Sequence, residues 1–122
     1  MKTIKTNLAP EAIGPYSQAI LVDGFLFTSG QIAINPKTGL IEGDIVQQSN
    51  QAFTNIGKIL EEAGMSFKNV IKTTVFVKDI KDFQTINEIY AKYFISNPAR
   101  SLVEVSNLPK NSLLEIEIIA KM

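Results

Sequence analysis

The sequence contains no cysteine, no histidine and no tryptophan. Without cysteine and histidine, the protein cannot form disulfides, cysteine nucleophiles, Ser-His-Asp triads or ordinary zinc sites. Any chemistry must therefore depend on Asp, Glu, Lys, Arg, Tyr, Ser or Thr side chains, and we expect no bound metal.

The sequence also lacks an excess of one charge and any long apolar run. Its 12 Lys and Arg residues balance 12 Asp and Glu residues, without a basic cluster. This balance argues against a nucleic-acid partner. No run approaches the ~20 apolar residues of a membrane span, and residues 1–16 lack the apolar core of a secretory signal. We therefore expect a cytoplasmic protein with no membrane partner.

What the sequence does contain is the apolar content of a folded domain. It has 122 residues, of which 45% are hydrophobic, and no repeat or linker is visible. A chain of this size can form a core and still gains stability from oligomerisation. We predict one continuous domain over residues 1–122.

The first half of the chain predicts a hairpin followed by a helix. Asp23-Gly24 joins two short apolar runs, and both residues tolerate the positive φ of a tight turn. A helical stripe of apolar residues then begins after Asp44, which can form a capping box with Gln47. Gly64 fits the left-handed position just past the end of this helix.

The second half predicts a β-branched strand in "NVIKTTVFVKD", a helix from Lys81 to Phe94, and two closing strands. The closing strands, "RSLVEV" and "LLEIEIIA", lie around the turn "SNLPKN". The resulting order, ββαβαββ, indicates an α+β fold in which two helices cover one face of a mixed sheet.

The strands carry apolar residues on both faces, because Val75 and Val77 point one way and Phe76 points the other. Two helices cover only one face. We expect the second face to be covered by other copies of the chain in a closed oligomer.

Two charged residues occupy strands that otherwise favour burial. Arg100 precedes a β-branched run, so it is either a solvated or ion-paired strand end or a group that binds an anion. Glu115 shares a strand face with Leu113, Glu117 and Ile119. These two carboxylates could protect an edge strand from aggregation, or Glu115 could serve a site.

Three further polar residues have two interpretations each. Asn87 lies on the apolar stripe of the second helix, where its amide either bonds a neighbouring loop or lines a pocket. Tyr16 follows a proline and is either a packed ring or a proton donor. Ser29 is either a turn residue before Gly30 or part of a polar lining.

Taken together, these residues and their surroundings resemble the RidA (YjgF) family. The resemblance extends over almost the whole chain, and the arginine of "PARS" followed by the glutamate of "EIE" is its most specific feature. The matching stretches are "IGPYSQA", "TSGQI", "IKTTVFVKD", "INEIYAKYF", "PARSLVEV" and "LPKNSLLEIEIIA".

The resemblance implies a chorismate mutase-like fold and a homotrimer with a central β-barrel and active sites between subunits. It also implies a deaminase that hydrolyses 2-iminobutanoate and 2-iminopropanoate, released by PLP-dependent enzymes, to 2-oxo acids and ammonia. Such a hydrolysis needs no cofactor, because a protonated imine carbon is already electrophilic.

The resemblance also implies a role for each polar residue. Arg100 binds the substrate carboxylate and Glu115 positions or activates water, with Tyr16 as the second catalytic residue. Ser29, the Gly30 backbone and Asn87 complete the substrate-binding lining. Burial beside leucine and isoleucine disfavours the charged form of Glu115, whereas a nearby Arg100 favours it.

Leu102 stands where many relatives have cysteine, which removes a thiol from the pocket and leaves the polar roles filled. The alternatives from other classes are a non-catalytic ligand-binding, regulatory or chaperone-like trimer, and an RNA-cleaving translation inhibitor. The neutral net charge weighs against RNA.

Overall fold

The computed structural model describes residues 1–122, and it contains one six-stranded sheet with two helices on one face. This confirms the predicted α+β class and the two-helix layer. The strands are β1 (Lys2–Ile4), β2 (Ala19–Val22), β3 (Phe25–Thr28), β4 (Val70–Val77), β5 (Ala99–Glu104) and β6 (Leu114–Lys121). The helices are α1 (Ile45–Glu62) and α2 (Phe83–Tyr93).

The strand β1 was missed by the predicted order ββαβαββ. It pairs antiparallel with β2, with Lys2 opposite Leu21. Three residues are too few to show an alternating pattern, so only the pairing with β2 reveals this strand.

The strands lie in the order β1-β2-β3-β6-β4-β5. β6 is antiparallel to both of its neighbours, and β5 is parallel to β4. The two closing strands are therefore both present but do not pair with each other, and their connection crosses the end of β4. There, the Val105 amide donates to the Val77 carbonyl at 2.9 Å. The α2 crossover places β5 on the outer side of β4, as a parallel pair requires.

The predicted ends of α1 are confirmed. The Asp44 carboxylate accepts from the Val46 and Gln47 amides, and the Gln47 side chain accepts from the Asp44 amide at 2.8 Å. Gly64 has a φ of 75° just past the helix. The second helix starts at Phe83, two residues later than predicted, because residues 80–82 form a 3₁₀ turn. Neither helix has the length and apolar character needed to cross a membrane.

The hydrophobic core lies between the helices and one face of the sheet. Val75 and Val77 are fully buried there, as is Phe53 of α1. The opposite face is uncovered within one chain, where the side chains of Phe27 and Val103 are each 44% exposed. This confirms the prediction that one chain leaves an apolar sheet face bare.

One buried polar group in this core has no partner. The Ser49 side chain in α1 is 0% exposed, and its hydroxyl makes no hydrogen bond. We expect Ser49→Ala to raise the free energy of unfolding by about 1 kcal/mol, because it removes an unsatisfied hydroxyl and favours the helix. Chemical denaturation checks this.

Ser112 provides a matched control. It is also 0% exposed, but its hydroxyl donates to the Pro109 carbonyl at 2.8 Å. Ser112→Ala should therefore lower the free energy of unfolding by about 1 kcal/mol. A loss of stability in Ser49→Ala would contradict the interpretation of Ser49.

Candidate active site

A cleft of about 570 Å³ opens beside the first residues of β6. Its walls are formed by residues 10–18, by the segment that follows β3, and by the turn before β6. Tyr16, Ser29, Gly30 and Glu115 all line it. These four residues, which we call the glutamate cleft, were predicted as site residues, and the fold brings them together.

The cleft opens where the pairing of β3 with β6 is interrupted. The Thr28 hydroxyl accepts from the Ile118 amide at 3.0 Å, and backbone pairing resumes where Gln31 and Ile116 exchange bonds of 2.7 and 3.0 Å. Ser29 and Gly30 lie between these points, outside the ladder. The Gly30 amide makes no hydrogen bond within the chain, so it remains a free donor at the wall of the cleft.

A side chain at position 30 would take the space that the Glu115 carboxylate occupies. A Cβ built at this position would lie 2.0 Å from Oε2 of Glu115, closer than any non-bonded contact allows. The carboxylate therefore rests directly against the Gly30 backbone. Any larger residue would displace Glu115 from the cleft.

The Glu115 carboxyl is half-buried and forms no salt bridge within the chain. Burial raises its pKa above the ordinary value, and the neighbouring Glu117 carboxylate raises it further. Of the two opposing effects on its charge, only burial acts within one chain, since Arg100 is absent from its surroundings. The edge-strand interpretation is wrong, because β6 lies between β3 and β4.

Ser29 and Tyr16 differ in how firmly they are held. The Ser29 hydroxyl donates to the Ser17 carbonyl at 2.6 Å, so it fastens the loop that carries Tyr16. Tyr16 is 52% exposed, and its hydroxyl makes no hydrogen bond within the chain. Ser29 thus has a structural bond as well as a place in the lining, and the Tyr16 hydroxyl is free to interact.

Arg100 lies elsewhere, on the outer strand β5. Its Nη1 donates to Oδ1 of Asn87 at 2.7 Å. The guanidinium carbon lies 4.7 Å from the ring centre of Tyr90 and 5.6 Å from that of Phe83. We call this group, Phe83, Asn87, Tyr90 and Arg100, the arginine shelf. Arg100 has no carboxylate partner, since the single salt bridge of the chain joins Lys58 and Glu61.

The glutamate cleft and the arginine shelf lie on opposite faces of the sheet. Glu115 is opposite Phe76 of β4 and projects to the open face, whereas Arg100 is beside the buried Thr73 and projects toward α2. Their strands are also two positions apart, about 10 Å at the usual spacing. A single chain therefore does not bring Arg100 and Glu115 into one site.

Three buried amides, which were not among the predicted site residues, hold the walls of the cleft. Gln18 bonds the backbone of residues 6–10, and Gln48 accepts from the Leu113 amide just before β6. Asn55 donates to the carbonyls of residues 32 and 34. For Gln48 and Asn55, amide side chains at buried helix positions were the available signal, whereas Gln18 lies in the loop before β2 and offered none. No group of three or more acidic residues is placed to hold a metal ion.

Comparison with known proteins places the chain in a family. Residues 6–122 match the family described as Endoribonuclease L-PSP. The human 2-iminobutanoate/2-iminopropanoate deaminase is 52% identical over 121 residues, which cover 98% of this chain and 88% of the human protein. A RutC family protein of Pyrococcus horikoshii is 56% identical over 98% of this chain and 96% of its own length.

A solved structure agrees with the sequence relatives. Escherichia coli TdcF with bound serine superposes with a TM-score of 0.96 at 44% identity, covering 100% of this chain and 99% of TdcF. The chain therefore belongs to the Endoribonuclease L-PSP family, which is the RidA (YjgF) family predicted from its motifs.

The raised pKa of Glu115 gives a prediction for stability against pH. Burial disfavours the charged carboxylate, so the pKa of Glu115 is higher in the folded state than in the unfolded chain. The free energy of unfolding therefore falls as pH rises from the ordinary value of 4.5 through the raised pKa, and below 4.5 there is no loss. Glu115→Gln should therefore melt at a higher temperature than its parent at about pH 8 and at the same temperature at about pH 4. Thermal melts across this range measure the difference.

The comparison is best made in an Arg100→Ala background, so that no guanidinium of another copy affects the carboxyl. Adding Glu117→Gln should reduce the gain at high pH, because the Glu117 charge is one cause of the shift. A gain that is independent of pH would contradict the assignment.

Proposed function

We propose that this protein is a deaminase that hydrolyses small 2-imino acids, or their enamine tautomers, to 2-oxo acids and ammonia. The observation that carries the proposal is a half-buried carboxyl of raised pKa in a cleft with a free backbone donor. Relatives at about half identity that are named as such deaminases support it. The substrates proposed are 2-iminobutanoate and 2-iminopropanoate.

The carboxylate of the substrate calls for a cation that is not already paired. Arg100 is held by an amide and by aromatic rings, which leave its charge uncompensated. A planar guanidinium can bind a carboxylate with two parallel bonds, which lysine cannot do. The bound serine in Escherichia coli TdcF is a small molecule with such a carboxylate.

The proposed reaction uses Glu115 to move one proton. Water adds to C2 of the protonated imine, the C=N electron pair moves to nitrogen, and Glu115 takes a proton from the water. Glu115 then returns this proton to the nitrogen of the carbinolamine, and the C–N bond breaks with its electron pair leaving on ammonia. The C2 hydroxyl loses its proton as the C2=O bond of the 2-oxo acid forms, and the ammonia takes up that proton and leaves as ammonium. The Gly30 amide and the Tyr16 hydroxyl can donate to the oxygen bound at C2, and the Ser29 hydroxyl, which donates to the Ser17 carbonyl, can accept from it.

No step of this reaction moves electrons to or from the protein. The imine carbon is activated by protonation of its own nitrogen, so the side chains need only to bind, orient and transfer a proton. We therefore propose that the reaction requires no cofactor.

We further propose that the working site forms between copies of the chain in a homotrimer. The open sheet face with Phe27 and Val103 needs a cover, and Glu115 lies on that face. Arg100 faces the other way in the same chain. Contact between neighbouring copies would allow the arginine shelf of one chain to complete the glutamate cleft of the next.

RNA cleavage, which the family description mentions, is not the function we propose. The chain has no net charge, and RNA binding depends on an excess of Lys and Arg along the phosphate backbone.

A coupled assay tests the proposed activity. When a PLP-dependent dehydratase acts on threonine or serine, the protein should accelerate ammonia and 2-oxo acid release from the imine. Activity should fall in the order wild type, Arg100→Lys, Arg100→Ala, because lysine keeps the charge but loses the bidentate geometry. Glu115→Gln should reduce turnover by ~10²-fold or more. Equal rates with and without the protein would refute the proposal.

Mixing two inactive variants tests the site between copies. Arg100→Ala and Glu115→Gln chains, refolded together in equal amounts, should recover about a quarter of wild-type activity if one chain supplies each residue. Sedimentation equilibrium should show a trimer for both variants. No recovery in mixed trimers, or a stable monomer at micromolar concentration, would contradict a site shared between copies.

A further inference from the structure

We infer that Tyr90 and Thr73 are positioning residues for Arg100, an inference that rests on the proposed carboxylate-binding function. The face of the Tyr90 ring packs against the guanidinium and fixes its orientation without neutralising its charge. Thr73 fixes the ring by bonding its hydroxyl. Neither residue touches the substrate, and both act by presenting the free edge of Arg100.

The Tyr90 ring is held on several sides. It is 8% exposed, and its hydroxyl and the Thr73 hydroxyl lie 2.7 Å apart in a buried hydrogen bond. The ring stacks on Phe94 at 4.3 Å between centres and meets the edge of Phe53 at 5.9 Å. These contacts restrict tilting of the ring, so the surface that faces the guanidinium keeps one orientation.

The pairing of β4 with β5 positions both residues that contact Tyr90 from the sheet. Thr73 of β4 lies beside Arg100 of β5 in the parallel register, and both side chains point toward α2. Thr73 holds the far end of the Tyr90 ring while Arg100 extends over its face. The distance of 4.7 Å from the guanidinium carbon to the ring centre is therefore set by the sheet and the helix together.

The neighbours of Arg100 hold its guanidinium in place and leave its charge available to an anionic ligand. An aromatic face attracts a cation without neutralising it, whereas a carboxylate would occupy the bidentate edge. Asn87 accepts only from Nη1, which leaves the other guanidinium N–H groups available. Tyr90 stays a neutral phenol, because burial raises its pKa further above the ordinary value.

The experiment varies the electron density of the ring while keeping its shape. Phenylalanine and its mono-, di- and trifluoro derivatives are incorporated at position 90, and the affinity for 2-oxobutanoate is measured by calorimetry. Fluorine withdraws electron density from the ring face and so weakens its attraction for the guanidinium. The affinity for 2-oxobutanoate should therefore fall stepwise, by about 5-fold or more across the series. A purely structural ring would give a flat series, which would overturn the inference.

Tyr93 offers a matched control on the same helix. Its ring also meets Phe53, at 5.5 Å, and its hydroxyl donates to Asn50, but it does not contact Arg100. The same fluorinated series at position 93 should leave 2-oxobutanoate affinity unchanged. An equal loss at both positions would show an effect of stability alone and would overturn the inference.

Thr73→Val tests the second residue and does not depend on fluorinated protein. It should weaken 2-oxobutanoate binding by about 2- to 3-fold, with little further loss when combined with Tyr90→Phe, because both changes break the same bond. Full affinity in Thr73→Val would overturn its role.

The outcomes separate this inference from the proposed function. Fluorine-dependent carboxylate binding without imine hydrolysis would refute only the deaminase. Imine hydrolysis with a flat series would refute only the positioning role. A wild type that does not bind 2-oxobutanoate would refute the inference, since Arg100 would then hold no carboxylate.

Discussion

The alternation of side chains across the sheet is the constraint on which the rest of this structure depends. In β4, Val75 and Val77 face the helices and Phe76 faces away. Every residue paired with this strand follows the same division, so Glu115 beside Phe76 and Arg100 beside Thr73 project to opposite faces. The two charges are separated by the backbone itself, and no side-chain rotation can bring them together.

The position of β6 explains how a carboxylate is held firmly and still reaches open space. Around Glu115 the strand is bonded on one side by β4 and on the other by Gln31, which exchanges two bonds with Ile116, so the backbone of Glu115 is fixed. The break in pairing at Ser29 and Gly30 then removes one neighbour just where the carboxyl needs room. The loops around that break have backbone groups without partners in the sheet. The buried side-chain amides of Gln18, Gln48 and Asn55 bond these groups and so hold the loops in place.

Both charged groups of the candidate site are unpaired within the chain, which costs stability and favours ligand binding. Glu115 forms no salt bridge, and both its burial and the Glu117 carboxylate raise its pKa. Arg100 has an amide and aromatic rings. Uncompensated charge in a partly buried position is typical of functional sites, since a structural ion pair would satisfy both groups and leave nothing for a substrate.

Local sequence by itself determined the ends of α1, the Asp23-Gly24 hairpin, the α+β class and the uncovered sheet face, because caps, turns and periodicity depend on residues close together in the chain. The motifs also identified the family and the six candidate site residues. Strand β1, the central place of β6 and the division of Arg100 from Glu115 were decided only by the tertiary structure. These features depend on which strands pair, and pairing is set by contacts between segments far apart in sequence. The role of Tyr90 beneath Arg100 has the same origin, since a helix stripe and a strand register meet there only after folding.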